Sequence, residues 1–216
     1  MKKILLLGIA VIILAACGNN TKIENEAGKT GQNREYMQYL DSLKADNNLK
    51  ITMGKVPVTI VGKELKVEDK IKEVTLVVNA KLEEKNIFED KNIKVIYTAP
   101  SLDTKVCSLQ TKQLNEAAKT HTNVKFYSVT VDTPFAQERF CTANEIDGLK
   151  AVSDFKYHQF GIQNGFFIKE KGLLTRALMI VDENNTVKYI EYVSEEGKEV
   201  NVEKALKFLE SKLLKK

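Results

Sequence analysis

Residues 94–107 read Lys94-Val95-Ile96-Tyr97-Thr98-Ala99-Pro100-Ser101-Leu102-Asp103-Thr104-Lys105-Val106-Cys107, and this stretch decides the fold class. Its start, from Lys94 to Tyr97, is a short and largely apolar run that predicts a buried central strand. Proline lacks the amide hydrogen that a central strand needs, so we expect the strand to stop at Pro100. A helical pattern begins near Thr104, with Ser101 or Asp103 as the candidate N-cap. A strand that passes directly into a helix is typical of α/β proteins.

Strands and helices continue to alternate on both sides of this junction. The patterns predict strands over 74–78, 124–131, 176–181 and 187–193, and helices over 135–142 and 202–213. Residues 56–60 and 63–67 flank Val61-Gly62 and predict a small N-terminal β-hairpin. The sequence therefore predicts an α/β sandwich whose central sheet is built from both halves of the chain.

Cys107 falls in the first turn of the predicted helix. A helix N-terminus carries about +0.5 of a charge and unpaired N–H groups, both of which stabilise a thiolate. Thr104 precedes it by one turn, so its hydroxyl can reach the sulfur, while Pro100 can shield the pocket. A free cysteine is more often a buried small hydrophobe. The Pro-x-x-x-Thr-x-x-Cys spacing favours a reactive thiol, which a guanidinium from elsewhere would complete.

Residues 1–17 are typical of an export signal. Lys2 and Lys3 precede an apolar stretch, 4–16, that is shorter than the ~20 residues needed to span a bilayer. The segment ends Leu14-Ala15-Ala16-Cys17, which resembles the lipobox of bacterial lipoproteins. This predicts lipidation of Cys17, membrane attachment through the lipid and an extracytoplasmic location, either periplasmic or on the cell surface. An ordinary secretory signal cleaved nearby is the alternative.

Residues 18–49 are rich in polar and charged side chains and predict a flexible tether. A short amphipathic helix is predicted inside it, around 35–43. The folded domain is then expected to cover 50–216.

The composition excludes several function classes. The formal net charge is +4, of which the leader contributes two, and tryptophan is absent, so nucleic-acid binding has no support. Three cysteines are too few and too scattered for a disulfide framework. His121 and His158 lack the spacing of a metal site, and no glycine-rich phosphate loop is present. We therefore predict no metal and no cofactor.

Several ordered motifs together resemble the peroxiredoxins. Pro100 to Cys107 looks like their active-site loop, and its Ser-Leu-Asp-Thr-x-Val-Cys form is similar to the thiol peroxidase subfamily, the atypical two-cysteine group. The segment from Asp132 to Cys141 resembles that subfamily's resolving-cysteine segment. Three later stretches match its signatures: Ser153-Asp154-Phe155, Gly172-Leu173-Leu174-Thr175-Arg176-Ala177 and Val181-Asp182-Glu183-Asn184.

The resemblance covers about 51–209 and implies a thioredoxin-like fold with a central mixed sheet flanked by helices. It implies that Cys107 attacks a hydroperoxide, with Thr104 and Arg176 binding the thiolate and the peroxide and Pro100 shielding the sulfur. Cys107 would become a sulfenic acid and Cys141 would resolve it as an intramolecular disulfide. The resemblance further implies a thioredoxin-like reductant and a homodimer.

Two other functions stay open from the residues. One is a general thiol–disulfide oxidoreductase of thioredoxin-like fold, against which the absence of a C-x-x-C motif argues. The other is a non-enzymatic surface lipoprotein that has kept the fold and binds a partner. An intact set of Thr104, Cys107 and Arg176 argues against the second.

Overall fold

The computed structural model describes residues 31–215, so the predicted signal peptide and the tether as far as residue 30 lie outside the described residues. The helices are α1 Gly31–Ser42, α2 Lys105–Thr120, α3 Pro134–Ala143, α4 Gln159–Asn164 and α5 Val202–Phe208, and α5 runs on into a π-helical turn, Leu209–Leu213. The strands are β1 Ala45–Asp46, β2 Ile51–Met53, β3 Val56–Val58, β4 Ile60–Lys63, β5 Thr75–Val77, β6 Glu84–Asn86, β7 Lys94–Thr98, β8 Lys125–Thr130, β9 Lys150–Ser153, β10 Phe167–Ile168, β11 Leu173–Leu174, β12 Ala177–Val181 and β13 Val187–Tyr192.

The central sheet has seven strands in the order β13-β12-β7-β8-β9-β5-β6. Strands β7, β8 and β9 run parallel, and the others pair antiparallel, so the sheet is mixed as predicted. Helix α2 connects β7 to β8, because neighbouring parallel strands need a long crossover connection. A thioredoxin-like α/β fold with helices flanking a mixed sheet is confirmed.

The central strands are apolar on both sides because each side of the sheet packs into its own core. On β7, Ile96 belongs to one buried cluster, whereas Val95 and Tyr97 belong to the other. On β12, Met179 and Leu178 divide in the same way. Strands buried on both faces are expected to be continuously hydrophobic rather than alternating.

The N-terminal hairpin exists, but the predicted position over 56–67 is wrong. Strands β2 and β3 pair antiparallel around Gly54 and Lys55, whose φ angles of 60° and 67° suit the tight turn of a two-residue hairpin loop. Gly62, predicted as the turn, lies inside β4. That strand belongs to a separate four-stranded sheet with the order β1-β4-β10-β11.

Leu40–Lys216 forms one compact unit, and this unit includes residues 40–49, which precede the domain that we predicted from residue 50. Leu40 is buried in the core, and β1 pairs in parallel with Gly62 and Lys63. The Asn47 amide donates to the carbonyl oxygens of Ile60 and Gly62 at 2.8 and 2.9 Å. A two-residue strand has no hydrophobic period from which it could be predicted.

Within residues 31–215, no helix is both long and apolar enough to cross a membrane.

Asp154 is a buried carboxylate that binds the start of α4. Its two oxygens accept the amide hydrogens of Phe160 and Gly161 at 3.0 and 2.9 Å. Burial raises the pKa of Asp154 from 3.8 to about 7, although both amides favour the carboxylate. A group that holds its proton more tightly when folded makes the folded state less stable as the pH rises through that pKa.

We therefore expect the stability of the protein to fall between about pH 4 and pH 7 because of Asp154, since the folded state holds more protons than the unfolded state only between those two pKa values. The measurement is urea unfolding at several pH values, for the wild type and for Asp154→Asn. The difference in free energy of unfolding, wild type minus variant, should decrease with pH across that window. A constant difference would show that folding does not raise the pKa of Asp154.

Candidate active site

The pairing of β7 with β12 brings two distant segments together. Ala177, the first residue of β12, lies opposite Thr98, the last residue of β7. The Thr98 hydroxyl donates to the Thr175 carbonyl at 2.7 Å and accepts from the Ala177 amide at 3.1 Å. The chain that leads into α2 and the chain that leads into β12 therefore meet at one edge of the sheet. Cys107 lies in the first turn of α2, and Arg176 lies directly before β12.

Thr104 and Arg176 both contact the sulfur of Cys107. Thr104 is the N-cap of α2, and its Oγ1 lies 2.8 Å from Sγ and 3.2 Å from the Ser101 carbonyl oxygen. Nη1 of Arg176 lies 3.2 Å from the same Sγ. The first intrahelical bond of α2 is donated by Ser108, so Cys107 lies in the first turn, where amides lack intrahelical partners. Cys107 is 0% exposed, and Arg176 is 2% exposed.

The predicted capping by Ser101 or Asp103 is wrong. Thr104 occupies the N-cap position, but its side chain makes no capping hydrogen bond because its hydroxyl contacts the sulfur instead. Ser101 accepts the Asp103 amide hydrogen at 3.2 Å and stabilises the loop before the helix. Pro100 is buried directly after β7 and its neighbour Ala99, where the strand was predicted to stop.

Glu196 holds the Arg176 guanidinium in place, a role that the sequence did not reveal. Nη2 and Nε of Arg176 donate to the Glu196 carbonyl oxygen at 2.7 and 3.3 Å. The Glu196 carboxylate accepts the Arg176 amide hydrogen at 2.9 Å and bonds the Thr175 hydroxyl. Burial raises the pKa of Glu196, while its bonds to Thr175 and Arg176 oppose that effect. These contacts leave Nη1 directed at the sulfur.

Tyr97 is the second residue that sequence reasoning missed. Its phenol oxygen accepts from Nη1 of Arg176 and donates to Oε1 of Gln110 at 3.2 Å. Gln110 is fixed in turn, because its amide donates to the Val200 carbonyl at 2.7 Å. Burial and the neighbouring Cys107 raise the pKa of Tyr97, with Arg176 acting against them, so the phenol stays protonated at physiological pH. The only sequence feature that distinguished Tyr97 was its hydroxyl group within an otherwise apolar strand.

Replacing Tyr97 by phenylalanine should lower the rate constant for peroxide reduction about tenfold. The change removes one hydrogen bond to a charged group, an effect of roughly 1.5 kcal/mol, and leaves Nη1 free to turn away from the sulfur. The measurement is stopped-flow consumption of peroxide by the reduced protein. Tyr127→Phe, at another buried tyrosine of the same sheet, is the control and should match the wild type. An unchanged rate for Tyr97→Phe would show that the Tyr97 hydroxyl does not contribute to peroxide reduction.

Cys141 lies on α3 and lines a cavity of about 530 Å³, whose lining includes Pro134, Gln137 and Lys150 but not Cys107. It is half-buried, and burial raises the pKa of its thiol. Cys107 and Cys141 are both free cysteines in this structure. Among the described residues, no group of three or more metal-ligating side chains is present.

Comparisons with known proteins show which family the chain belongs to. The Redoxin family model matches residues 66–206. The thiol peroxidase of Bacillus subtilis is 43% identical over 157 residues, which cover 72% of this chain and 93% of that protein. The thiol peroxidase of Oceanobacillus iheyensis is 40% identical over 160 residues, covering 74% and 97%. The chain belongs to the redoxin family.

Solved structures place this peroxiredoxin in the same fold. The crystal structure of a peroxiredoxin-like protein from Aquifex aeolicus superposes with a TM-score of 0.71 at 36% identity, covering 76% of this chain and 96% of that one. The thiol peroxidase from Chromobacterium violaceum gives 0.68 at 18% identity, covering 76% and 97%, which speaks for the fold alone. With relatives near 40% identity over most of the chain, this peroxiredoxin is an enzyme with thiol-dependent peroxidase activity.

Proposed function

We propose that Cys107 is the peroxidatic cysteine of a lipid-anchored, extracytoplasmic thiol peroxidase that reduces hydrogen peroxide and alkyl hydroperoxides. The observation that carries the proposal is the pair of donors on its sulfur, Thr104 at 2.8 Å and Arg176 at 3.2 Å. A cationic guanidinium and a hydroxyl stabilise the thiolate, which is the nucleophilic form of cysteine. Pro100 shields the sulfur from bulk water.

The first step transfers one oxygen atom to Cys107. Its thiolate attacks one peroxide oxygen, a sulfur–oxygen bond forms and the oxygen–oxygen bond breaks. The other oxygen leaves as water or an alcohol after taking up a proton, and the sulfur becomes a sulfenic acid. Negative charge moves from the sulfur to the leaving oxygen during this step. Arg176, held by Glu196 and Tyr97, stays beside that charge, and fixed donors of this kind lower the barrier without rearranging.

The second step forms a disulfide with Cys141. The Cys141 sulfur displaces the sulfenic oxygen, which leaves as water, and this protects Cys107 from irreversible oxidation. Disulfide Cα atoms must come within ~7 Å of one another. Cys107 is fully buried and Cys141 faces a cavity that does not include it, so local unwinding of α2 or α3 precedes this step. Unwinding also exposes Cys141 to water, which removes the burial that raises its pKa.

A thioredoxin-like dithiol completes the cycle. It reduces the disulfide by thiol–disulfide exchange and becomes a disulfide itself, so two electrons pass to the enzyme. The enzyme acts as a homodimer. Because extracytoplasmic compartments are commonly oxidising, this reductant must be exported as well.

The test of the chemistry identifies the oxidised products. The reduced protein is mixed with one equivalent of hydrogen peroxide, and peptides are analysed by mass spectrometry. We expect a Cys107–Cys141 disulfide in the wild type, and a sulfenic or sulfinic Cys107 in Cys141→Ser. Oxygen uptake at any other residue, or no oxidation faster than that of free cysteine, would disprove the proposal.

The anchor is tested separately in cells. Metabolic labelling with an alkyne fatty acid should mark the full chain and leave Cys17→Ala unlabelled, with the variant lost from the membrane fraction. Labelling that persists in Cys17→Ala would contradict lipidation at Cys17 without affecting the peroxidase chemistry.

A further inference from the structure

A chain of hydrogen bonds joins the loop before Cys107 to the helix that carries Cys141. The Leu102 amide donates to Oδ2 of Asp132 at 2.7 Å, and the Thr130 hydroxyl donates to the same oxygen at 2.9 Å. Nε2 of Gln137, on α3, then donates to the Thr130 hydroxyl oxygen at 3.0 Å and to the Val152 carbonyl at 2.9 Å. The Thr130 hydroxyl oxygen also accepts the Asp132 amide hydrogen at 3.2 Å, so Thr130 bonds to both Asp132 and Gln137 and connects the two anchors.

The packing of α3 makes these bonds important. Pro134, Gln137 and Phe140 are the buried residues of this helix, and the cavity of about 530 Å³ lies against Pro134, Gln137 and Cys141. A helix beside a cavity lacks part of the dispersion contact that would otherwise hold it. Gln137 is the only polar residue among the three buried residues of α3. Its two hydrogen bonds are therefore a main part of the contacts that hold the buried face of α3 in place.

We infer that Thr130, Asp132 and Gln137 form a latch that keeps the Cys107 loop and α3 closed together, and that opening of this latch sets the rate of disulfide formation. The inference rests on the proposed function of the two cysteines and adds three positioning residues to it. When the latch opens, α3 is freed to unwind and Leu102 loses its bond at the loop. Resolution then competes with a second peroxide for the sulfenic acid.

Thr130→Val is the decisive variant because valine keeps the shape of threonine and removes the hydroxyl. The bonds of Asp132 to Leu102 and of Gln137 to Val152 do not include that hydroxyl, so the change removes neither of them directly. It loosens both, because Asp132 loses its bonds to Thr130 through the carboxylate and through the amide, and Gln137 loses one of its two bonds. Ser128→Ala is the matched control on the same strand. Ser128 is also fully buried, and its hydroxyl has no hydrogen-bond partner among the described residues.

The experiment follows both steps in one stopped-flow trace, with the full chain reduced beforehand. We expect Thr130→Val to form the disulfide about tenfold faster after sulfenic acid formation, since a buried group left unsatisfied favours the open state. Peroxide consumption by Cys107 should be unchanged, and the sulfinic fraction at high peroxide should fall. Gln137→Met, which removes both amide bonds, should act in the same direction. Ser128→Ala should match the wild type in both steps.

Amide hydrogen exchange tests the latch without relying on peroxidase activity. In Thr130→Val, exchange in α3 and at the Leu102 amide should accelerate together, and in Ser128→Ala neither should change. A disulfide rate unchanged or slowed in both Thr130→Val and Gln137→Met overturns the latch, as does faster exchange confined to one of the two segments. Absence of Cys107 oxidation in the wild type would instead overturn the proposed function.

Discussion

Replacing Arg176 by methionine is expected to lower the rate constant for peroxide reduction by about 10²–10³-fold. Removing one fixed donor from a site of developing negative charge has effects of this size in other enzymes. Arg176 is the cation on the Cys107 sulfur, at 3.2 Å, and it is almost fully buried. No solvent cation can replace it there. The measurement is single-turnover peroxide consumption by the reduced protein, with Cys107→Ser setting the baseline.

Two further variants separate charge, geometry and folding. Arg176→Lys keeps the positive charge but loses the planar fork that contacts Cys107 Sγ, Tyr97 and the Glu196 carbonyl together, so it should recover a minority of the lost rate. Arg139→Met makes the same substitution at an exposed arginine of α3 and should leave the rate unchanged. A normal rate in Arg176→Met would show that the guanidinium is structural. Thermal unfolding of each variant identifies losses caused by misfolding.

Replacing Gly62 by alanine is expected to lower the free energy of unfolding by more than about 3 kcal/mol. Gly62 has a φ of +90°, which alone costs a residue with a side chain roughly 1–2 kcal/mol. A Cβ there would lie 2.4 Å from the carbonyl oxygen of Ile162, so the backbone of α4 must also move. Gly62 also pairs with Ala45 across β1 and β4, so the same shift disturbs the start of the folded unit.

Gly172→Ala is the matched control for this prediction. Gly172 also has a positive φ, +64°, but a Cβ there meets no atom within 4 Å. Its substitution should lower the free energy of unfolding only by the cost of the positive φ angle, roughly 1–2 kcal/mol. The measurement is urea unfolding of both variants at one pH. Equal losses would mean that β4 and α4 separate easily and that the close contact is not a constraint.

The candidate site was predictable from sequence wherever its parts are local. Thr104 and Cys107 lie one helical turn apart, and Pro100 ends a strand that the apolar run already indicated. One turn of helix fixes the distance between its side chains, so the spacing alone placed the Thr104 hydroxyl beside the sulfur. Arg176 was different, because only its resemblance to a family motif distinguished it from any other arginine of the chain.

The fold was likewise predictable where its elements are local. The prediction was wrong where an element depends on contacts between distant residues. The long periodic helices and the buried central strands appeared where the patterns put them, because a hydrophobic period reports which side of an element meets the core. The hairpin was placed over 56–67 because Gly62 resembles a turn residue. Its positive φ in fact serves a close approach to Ile162, and that contact spans a hundred residues of sequence.

Local sequence patterns were sufficient to predict the α/β architecture, the helix start near Thr104 and the chemistry of a reactive thiol with a second cysteine downstream. No local pattern indicated that Tyr97, Gln110 and Glu196 support Arg176, or that Thr130 joins Asp132 to Gln137; these contacts form only in the folded protein. Hydrogen-bond partners are selected by their distance in space and not by their separation along the chain. The β7–β12 register and the β7–α2–β8 crossover set those distances, and neither leaves a period in the local sequence.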